Sequence, residues 1–329
     1  MAIGRRRFIA ALGSAVAWPV AARAQQSATP VIGFLGSGSP EPYADYLAAI
    51  RQGLGQSGFI ENRNVTIAYR WAEGRYDRLP ALADELVRLG VKVIMTSGGG
   101  NAALAAKAAT TSIPIVFHMG ADPVGLGVVS SLNRPGGNVT GVSFLTALSG
   151  SKRLEILHQL VPSSKTIGVL VNPDNASVSI PVKKDLQAAA PTLGLDLEIG
   201  EARNPPEIDA AFAKFTERQV GAIFVTADTF FRVQLVQIVG LSRRYGIPAM
   251  YNTRDFVEQG GLMSYGASIV DAYRLEGVYV GRVLKGEKPA DLPVVQSTKF
   301  ELVLNRKTAN TLGLNIPPTL FAIADDVIE

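Results

Sequence analysis

Val31-Ile-Gly-Phe-Leu35 runs straight into Gly36-Ser37-Gly38-Ser39, and a helical pattern over Tyr43–Gln56 follows. The arrangement returns at Thr166-Ile-Gly-Val-Leu-Val171. That run leads into Asn172-Pro173-Asp174-Asn175 and a helical stretch near Ser179–Thr192. Each time an apolar β-rich run ends in a loop of small and polar residues before a helix begins. Working outward, the first half reads as strands Val31–Leu35, Val65–Tyr69, Val93–Thr96 and Ile115–Phe117. Helical stretches near Tyr43–Gln56, Tyr76–Leu89 and Asn101–Thr110 separate them. The second half reads as strands Thr166–Val171, Leu195–Ile199, Ala222–Val225 and Ala249–Tyr251. Its helices lie near Ser179–Thr192, Glu207–Arg218 and Phe231–Tyr245. Continuous apolar strands alternating with helices imply a parallel sheet covered on both faces. The fold class is therefore α/β, with two doubly wound parallel-sheet lobes.

Trailing pieces complicate that picture. Leu262–Ser264 reads as a strand, Ile269–Leu284 as a helix, Phe300–Leu304 as a strand and Thr308–Leu312 as a short helix. No Ser/Gly-rich or charge-rich linker separates the halves, so the chain is expected to cross between lobes more than once. Crossings are placed near Gly141, Tyr265 and Leu292. One lobe is then 30–141 plus 266–291, and the other is 142–265 plus 292–329.

With 47% hydrophobic and 18% charged residues over 329 positions, the chain is not disordered. It has no cysteine, which excludes disulfides, thiolate metal sites, a cysteine nucleophile and a lipid-modified N-terminal cysteine. Two histidines, His118 and His158, cannot build a multi-histidine metal centre, and no cofactor is expected. The 32 basic and 28 acidic residues give +4, yet Arg5, Arg6, Arg7 and Arg23 all fall in the first 24 positions. The remainder is neutral, so no positive field argues for nucleic acid. Those 24 residues form a basic start, an apolar middle from Phe8 to Ala22 and a small-x-small end at Ala22-Arg23-Ala24. This is the pattern of a secretory signal peptide cleaved after Ala24. Arg5-Arg6-x-Phe-Ile also resembles a twin-arginine signal. No later run of 18 apolar residues occurs, so export to the periplasm without stable membrane insertion is expected.

Ligands of open parallel sheets bind beyond the carboxyl ends of the strands. Ser37, Ser39, Thr96 and Ser97, with neighbouring backbone N–H groups, are candidates to hold a carboxylate. Asp122 and Asp228 are the charged residues of strand-end loops. Asp122 precedes Pro123 and suits a turn, which leaves Asp228 for a ligand ammonium. Tyr43, Phe230, Phe231, Tyr251 and Tyr265 are aromatics that could line a pocket, and His118 follows a strand toward the same end. Enzyme motifs are poor. There is no P-loop and no G-x-S-x-G elbow. Ser149-Gly-Ser-Lys152 matches S-x-x-K without its companion motifs. His158 sits beside Leu154 and Leu157 in a helical run, as a structural residue would.

Longer stretches carry a family resemblance. They include Ile32-Gly-Phe-Leu35, Arg51-Gln-Gly-Leu54, Tyr69-Arg-Trp-Ala-Glu-Gly74 and Ala121-Asp-Pro-Val-Gly-Leu-Gly127. Tyr76-Asp-Arg-Leu-Pro80, Arg134-Pro-Gly-Gly-Asn-Val-Thr-Gly141, Gly260-Gly-Leu-Met-Ser-Tyr-Gly266 and Ile316-Pro-Pro318 complete the set. From Pro30 to Glu329 the chain resembles the ABC-transporter substrate-binding proteins of the tryptophan/tyrosine type. The resemblance implies a type I periplasmic-binding-protein fold with three crossovers. It also implies delivery of a small-molecule ligand to an ABC permease and its ATPase. The family's contact loops correspond to Ser37–Ser39, Thr96–Ser97, Asp122–Pro123, Asn172–Asp174, Ala227–Asp228 and Tyr251–Asn252. The first loop lacks the Gln and His often found there, and Thr229-Phe230-Phe231 replaces a small polar run. The ligand class therefore stays open between an amino acid and an aromatic acid. The alternative role is a periplasmic sensor that presents its solute to a signalling receptor.

Overall fold

The computed structural model describes residues 29–144, 149–297 and 299–329; the signal-peptide reading falls outside them. Two sheets form the frame. The first holds β1 (Val31–Gly36), β2 (Thr66–Trp71), β3 (Val93–Ser97), β4 (Ile115–Met119), β5 (Val139–Ser143) and, late in the chain, β11 (Val295–Gln296). Its strand order is β11-β5-β4-β3-β1-β2, parallel throughout. The second holds β6 (Thr166–Val171), β7 (Asp196–Glu201), β8 (Ala222–Val225), β9 (Ala249–Tyr251), β10 (Met263–Ala267), β12 (Phe300–Asn305) and β13 (Asp326–Ile328). Its order is β13-β12-β10-β9-β8-β6-β7, with only the β10–β12 pair antiparallel. In both, strand order reverses beside the first strand, at β1/β3 and at β6/β8. Such a reversal opens a crevice beyond the strand ends.

Side chains alternate across each sheet, so each builds two core layers. Leu35, Ile94 and Phe117 pack beneath α2 (Leu79–Arg88) and α3 (Gly100–Ala109). Ile32, Phe34 and Met95 pack beneath α1 (Ala44–Gln56) and α10 (Ile269–Leu284). In α2 the buried positions are Leu79, Leu82, Ala83 and Leu86, the one-faced spacing of an amphipathic helix. The second lobe repeats the plan. α4 (Gly150–Leu160) and α5 (Ala176–Ala189) cover one face; α6 (Pro205–Glu217), α7 (Thr229–Val233), α8 (Leu235–Tyr245) and α9 (Arg254–Glu258) lie on the other side. α11 (Arg306–Thr311) and α12 (Pro318–Ile323) finish the chain.

α10 returns to the first lobe and packs on α1 almost backbone to backbone. A Cβ on Gly53 would sit 2.0 Å from the Arg274 carbonyl oxygen, and one on Gly277 would sit 2.3 Å from that of Ile50. Any larger residue at either position would push the helices apart.

The crossings need correction. Gly141 lies inside β5, paired with Phe117, and the chain leaves the first sheet only after Ser143. The strand was missed because a glycine interrupts its apolar run. A Cβ there would stand 2.1 Å from the Phe117 carbonyl oxygen, so the strand requires that glycine. Leu292 is buried in the first lobe, and its carbonyl accepts a 2.7 Å bond from the Thr140 hydroxyl. Val295–Gln296 then pairs with β5, so the third crossing follows Gln296 rather than Leu292. The helix read over Phe231–Tyr245 is two helices, broken at Gln234.

Candidate ligand site

The carboxyl ends of the two sheets face each other across a cavity of about 80 Å³ that opens to solvent. Tyr43, Tyr46, Gly98, Gly99, His118 and Gly120 line it from the first lobe. Phe144, Ile269 and Tyr273 follow crossings or α10. The second lobe contributes Asn175, Val178, Ala227, Asp228, Thr229, Arg232, Asn252 and Thr253.

The first-lobe wall is a run of stacked rings. Tyr46 stacks on Tyr273 at 4.7 Å between centroids, Tyr273 on His118 at 4.0 Å, and His118 leans on Phe144 at 4.6 Å. The Tyr273 hydroxyl is fixed by a bond with the Ser97 hydroxyl. His118 points to this wall because it shares a sheet face with Val116, the face covered by α10. It is 3% exposed, and neither ring nitrogen has a hydrogen-bond partner among the described residues. Burial, helped by the Arg232 charge, pushes its pKa down to about 3, so the imidazole is neutral. A neutral ring keeps one donor and one acceptor. At the turn into α3, Gly98 and Gly99 hold φ of +93° and +99°. A Cβ on Gly98 would meet Ser37 Cβ at 2.6 Å and Thr229 Oγ1 at 3.0 Å, so this glycine lets the lobes approach.

The second-lobe wall is polar and largely satisfied within the protein. Asp228 caps α7. Its Oδ1 accepts from Phe230 N at 2.9 Å, Phe231 N at 3.2 Å and Asn172 Nδ2 at 3.2 Å. Its Oδ2 accepts from Asn175 Nδ2 at 2.8 Å and, across the cleft, from the Tyr76 hydroxyl at 2.9 Å. Burial raises the Asp228 pKa against the pull of these donors. Arg232 lies over the rings of Tyr46, at 3.9 Å, and Tyr43, at 4.4 Å. It donates from Nε to Asp255 Oδ2 at 2.7 Å and from Nη2 to the Pro42 carbonyl. The Tyr46 hydroxyl, held protonated chiefly by burial, donates to Asp255 at 2.9 Å. Thr229 Oγ1 donates to the Gly98 carbonyl at 3.1 Å. The lobes are therefore joined on both sides of the cavity. Thr253 Oγ1 is buried at the cavity without a partner among the described residues.

Of the residues named from sequence, Asp228, Tyr43 and His118 line the cavity, and Asp228 has all its acceptor positions taken. Ser37 and Thr96 are fully buried, with hydroxyls that have no partner among the described residues. Neither they nor Ser97 and half-buried Ser39 line the cavity; Gly98 and Gly99, just past β3, do. Asp122 is exposed and accepts from Val124 N at 3.0 Å, a turn device. Asn172 supports Asp228 from behind, whereas exposed Asp174 pairs with Arg203. Phe230, Phe231 and Tyr251 are second-lobe core. Tyr251 stacks on Phe256 at 4.6 Å, and Tyr265 lies against Phe300 on β12. Lys152 of the S-x-x-K match pairs with Glu155 at an exposed position.

Tyr46, Phe144, Asn175, Thr229, Arg232, Thr253 and Tyr273 were not singled out. Tyr273 and Phe144 come from segments at the crossings, whose placement no local pattern shows. Arg232 reads as one more helix-surface cation.

The family model described as ABC transporter substrate binding protein matches residues 43–328. A tyrosine-binding protein of Clostridioides difficile is 26% identical over 261 residues, covering 79% of this chain and 74% of its own. The crystal structure of an ABC domain in complex with L-Trp from Streptococcus pneumonia superposes with a TM-score of 0.83. It is 29% identical and covers 91% of this chain and 100% of its own. A conserved domain protein from Vibrio cholerae gives a TM-score of 0.84 at 25% identity, covering 91% of this chain and 99% of its own. The matched family is one of substrate-binding proteins rather than enzymes, and its match over residues 43–328, on a two-lobed fold with an interlobe cavity, places the chain in the ABC-transporter substrate-binding protein family.

Proposed function

We propose that the chain is the periplasmic binding component of an ABC importer. It captures a small carboxylate-bearing aromatic solute, an amino acid or an aromatic acid, between its lobes and hands it to a membrane permease driven by a cytoplasmic ATPase. The observation that carries this reading is the composition of the cavity. Stacked rings form one wall, and the N-termini of α3, α5 and α10 reach it through Gly99, Asn175 and Ile269. Helix N-termini present unpaired N–H groups and partial positive charge, which favour a carboxylate. The tyrosine-binding and L-Trp-bound relatives support an aromatic ligand. Ligand would favour the joined arrangement of the lobes only through better contacts there than in an open one. The basic, then apolar leader supports export, and no helix among the described residues is long and apolar enough to cross a membrane.

Mass spectrometry of protein recovered from the periplasm tests the reading. The intact chain is expected to begin at Gln25 and to release about one aromatic carboxylate per chain on unfolding, and uptake of that solute should require the gene. A chain that carries only sugars or cations from a metabolite mixture would refute it.

A further inference from the structure

Resting on that reading, we infer that this cavity selects an aromatic carboxylate without an α-ammonium group, and so discriminates against the matching amino acid. An ammonium brought out of water needs an acceptor, preferably a carboxylate. Asp228 is the acidic residue that lines the cavity. An ionised carboxylate offers about four lone-pair sites, and Asp228 already accepts five bonds from protein donors. Asp255, behind the Arg232 wall, spends both oxygens on Tyr46 and Arg232. Residues 1–28, 145–148 and 298 contain no acidic side chain at all.

Donors, by contrast, stand ready. Gly99 caps the ten-residue α3 without any side-chain cap, leaving its first-turn N–H groups for a ligand. Arg232 Nη1 makes no hydrogen bond among the described residues, and the guanidinium that carries it lines the cavity. Two buried polar side chains at the cavity, His118 and Thr253, lack partners among the described residues and can serve the polar groups of a neutral or anionic ligand. A cation sits in the wall, and the carboxylate that lines the cavity is spent. Glu276, fully buried on α10 with both oxygens unpartnered among the described residues, does not line the cavity, and burial pushes its pKa up, which favours the uncharged acid. The field therefore suits an anion and opposes an ammonium.

Two probe pairs, each differing by the α-ammonium alone, test this by calorimetry on protein freed of carried-over solute. They are 3-(indol-3-yl)propionate against L-tryptophan, and 3-(4-hydroxyphenyl)propionate against L-tyrosine. The deaminated acid of at least one pair is expected to bind about tenfold tighter or more, roughly 1.4 kcal/mol. Asp228→Asn should weaken both members alike and leave their ratio within about twofold. An amino acid that binds as tightly as its acid overturns the inference and leaves the importer reading standing. A ratio that swings about tenfold toward the acid in Asp228→Asn also overturns it, because Asp228 would then be holding the ammonium. Failure of all four probes overturns the inference and the aromatic-carboxylate reading together.

Discussion

The two walls of the cavity differ in how their polar groups are spent. On the second lobe nearly every polar atom is committed: Asp228 to five donors, Arg232 to Asp255 and Pro42, Asn175 to Asp228. On the first lobe the rings of Tyr46, Tyr273 and His118 give broad π surface, and the one imidazole among them has no hydrogen bond. A satisfied polar wall is rigid and already preorganised for closure. An unsatisfied group within an aromatic wall costs stability in the empty protein, and a ligand can recover that cost. Lobe-to-lobe attachment thus rests largely on the second-lobe wall, while the first-lobe rings, with the Arg232 Nη1 and Thr253 hydroxyl left over on the second, face the ligand.

The largest effect expected from this contrast concerns His118. Its folded-state pKa of about 3 lies below the ordinary 6.5, so the unfolded chain binds the proton first. Stability from the neutral ring is fully present above about pH 6.5 and is lost as pH falls toward 3. Each pH unit within that window is worth about 1.4 kcal/mol. His118→Phe keeps the stack on Tyr273 and removes the titration. Urea unfolding at pH 7.5 and pH 4.5 should show wild type losing about 2.5 kcal/mol more than the variant over that interval. Parallel losses would mean that the imidazole finds a proton-stabilising partner and that the first-lobe wall is not unsatisfied.

How far this wall could be read in advance depended on whether each residue's place was set locally. Both sheets were legible because strands such as Ile32–Leu35 and Val169–Val171 are buried on both faces and so read as unbroken apolar runs. The loops at strand ends were legible for the same reason, which is how Asp228 was found and how Thr96–Ser97 led to the edge of the cavity, one residue short of Gly98. Tyr273 and Phe144 were not, because they reach the cavity through crossings. Only the α1–α10 contact and the β5–β11 pairing decide where those crossings fall. Tyr251 and Phe230 misled because an aromatic at a strand end packs inward when its own lobe leaves room, and in this lobe Phe256 and Phe231 provide the partners.

Arg232 tests the second wall. Arg232→Met keeps an apolar stem against Tyr43 and Tyr46 but removes the charge, so Asp255, 20% exposed at its side chain, keeps only Tyr46. Losing one partner of a largely buried pair typically costs about 2–5 kcal/mol. This pair is partly solvated and the cost falls on closure, so affinity for the solute the protein retains should drop about 30-fold, near 2 kcal/mol. Calorimetry measures the drop, and small-angle scattering should show weaker compaction at equal ligand excess. An unchanged affinity would mean that the lobes are held by the Asp228–Tyr76 and Thr229–Gly98 bonds alone.

Tyr46 belongs to both walls, and it separates the two roles most finely. Its ring stacks on Tyr273 and lies under Arg232, while its hydroxyl crosses to Asp255. Tyr46→Phe leaves the ring contacts in place and removes one hydrogen bond to a carboxylate that Arg232 still holds. A single such bond is worth about 1 kcal/mol net, so affinity should fall only about fivefold. Because Tyr46 and Arg232 share Asp255, the two changes should not be additive. Once Arg232→Met has stripped the cation, the Tyr46 hydroxyl is the remaining donor to Asp255, and its removal should cost more than in wild type. Calorimetry across the four proteins of that double-mutant cycle gives the coupling. Strict additivity would show that the Tyr46 hydroxyl and Arg232 act on Asp255 independently, and no loss from Tyr46→Phe in either background would show that Tyr46 acts through its ring alone.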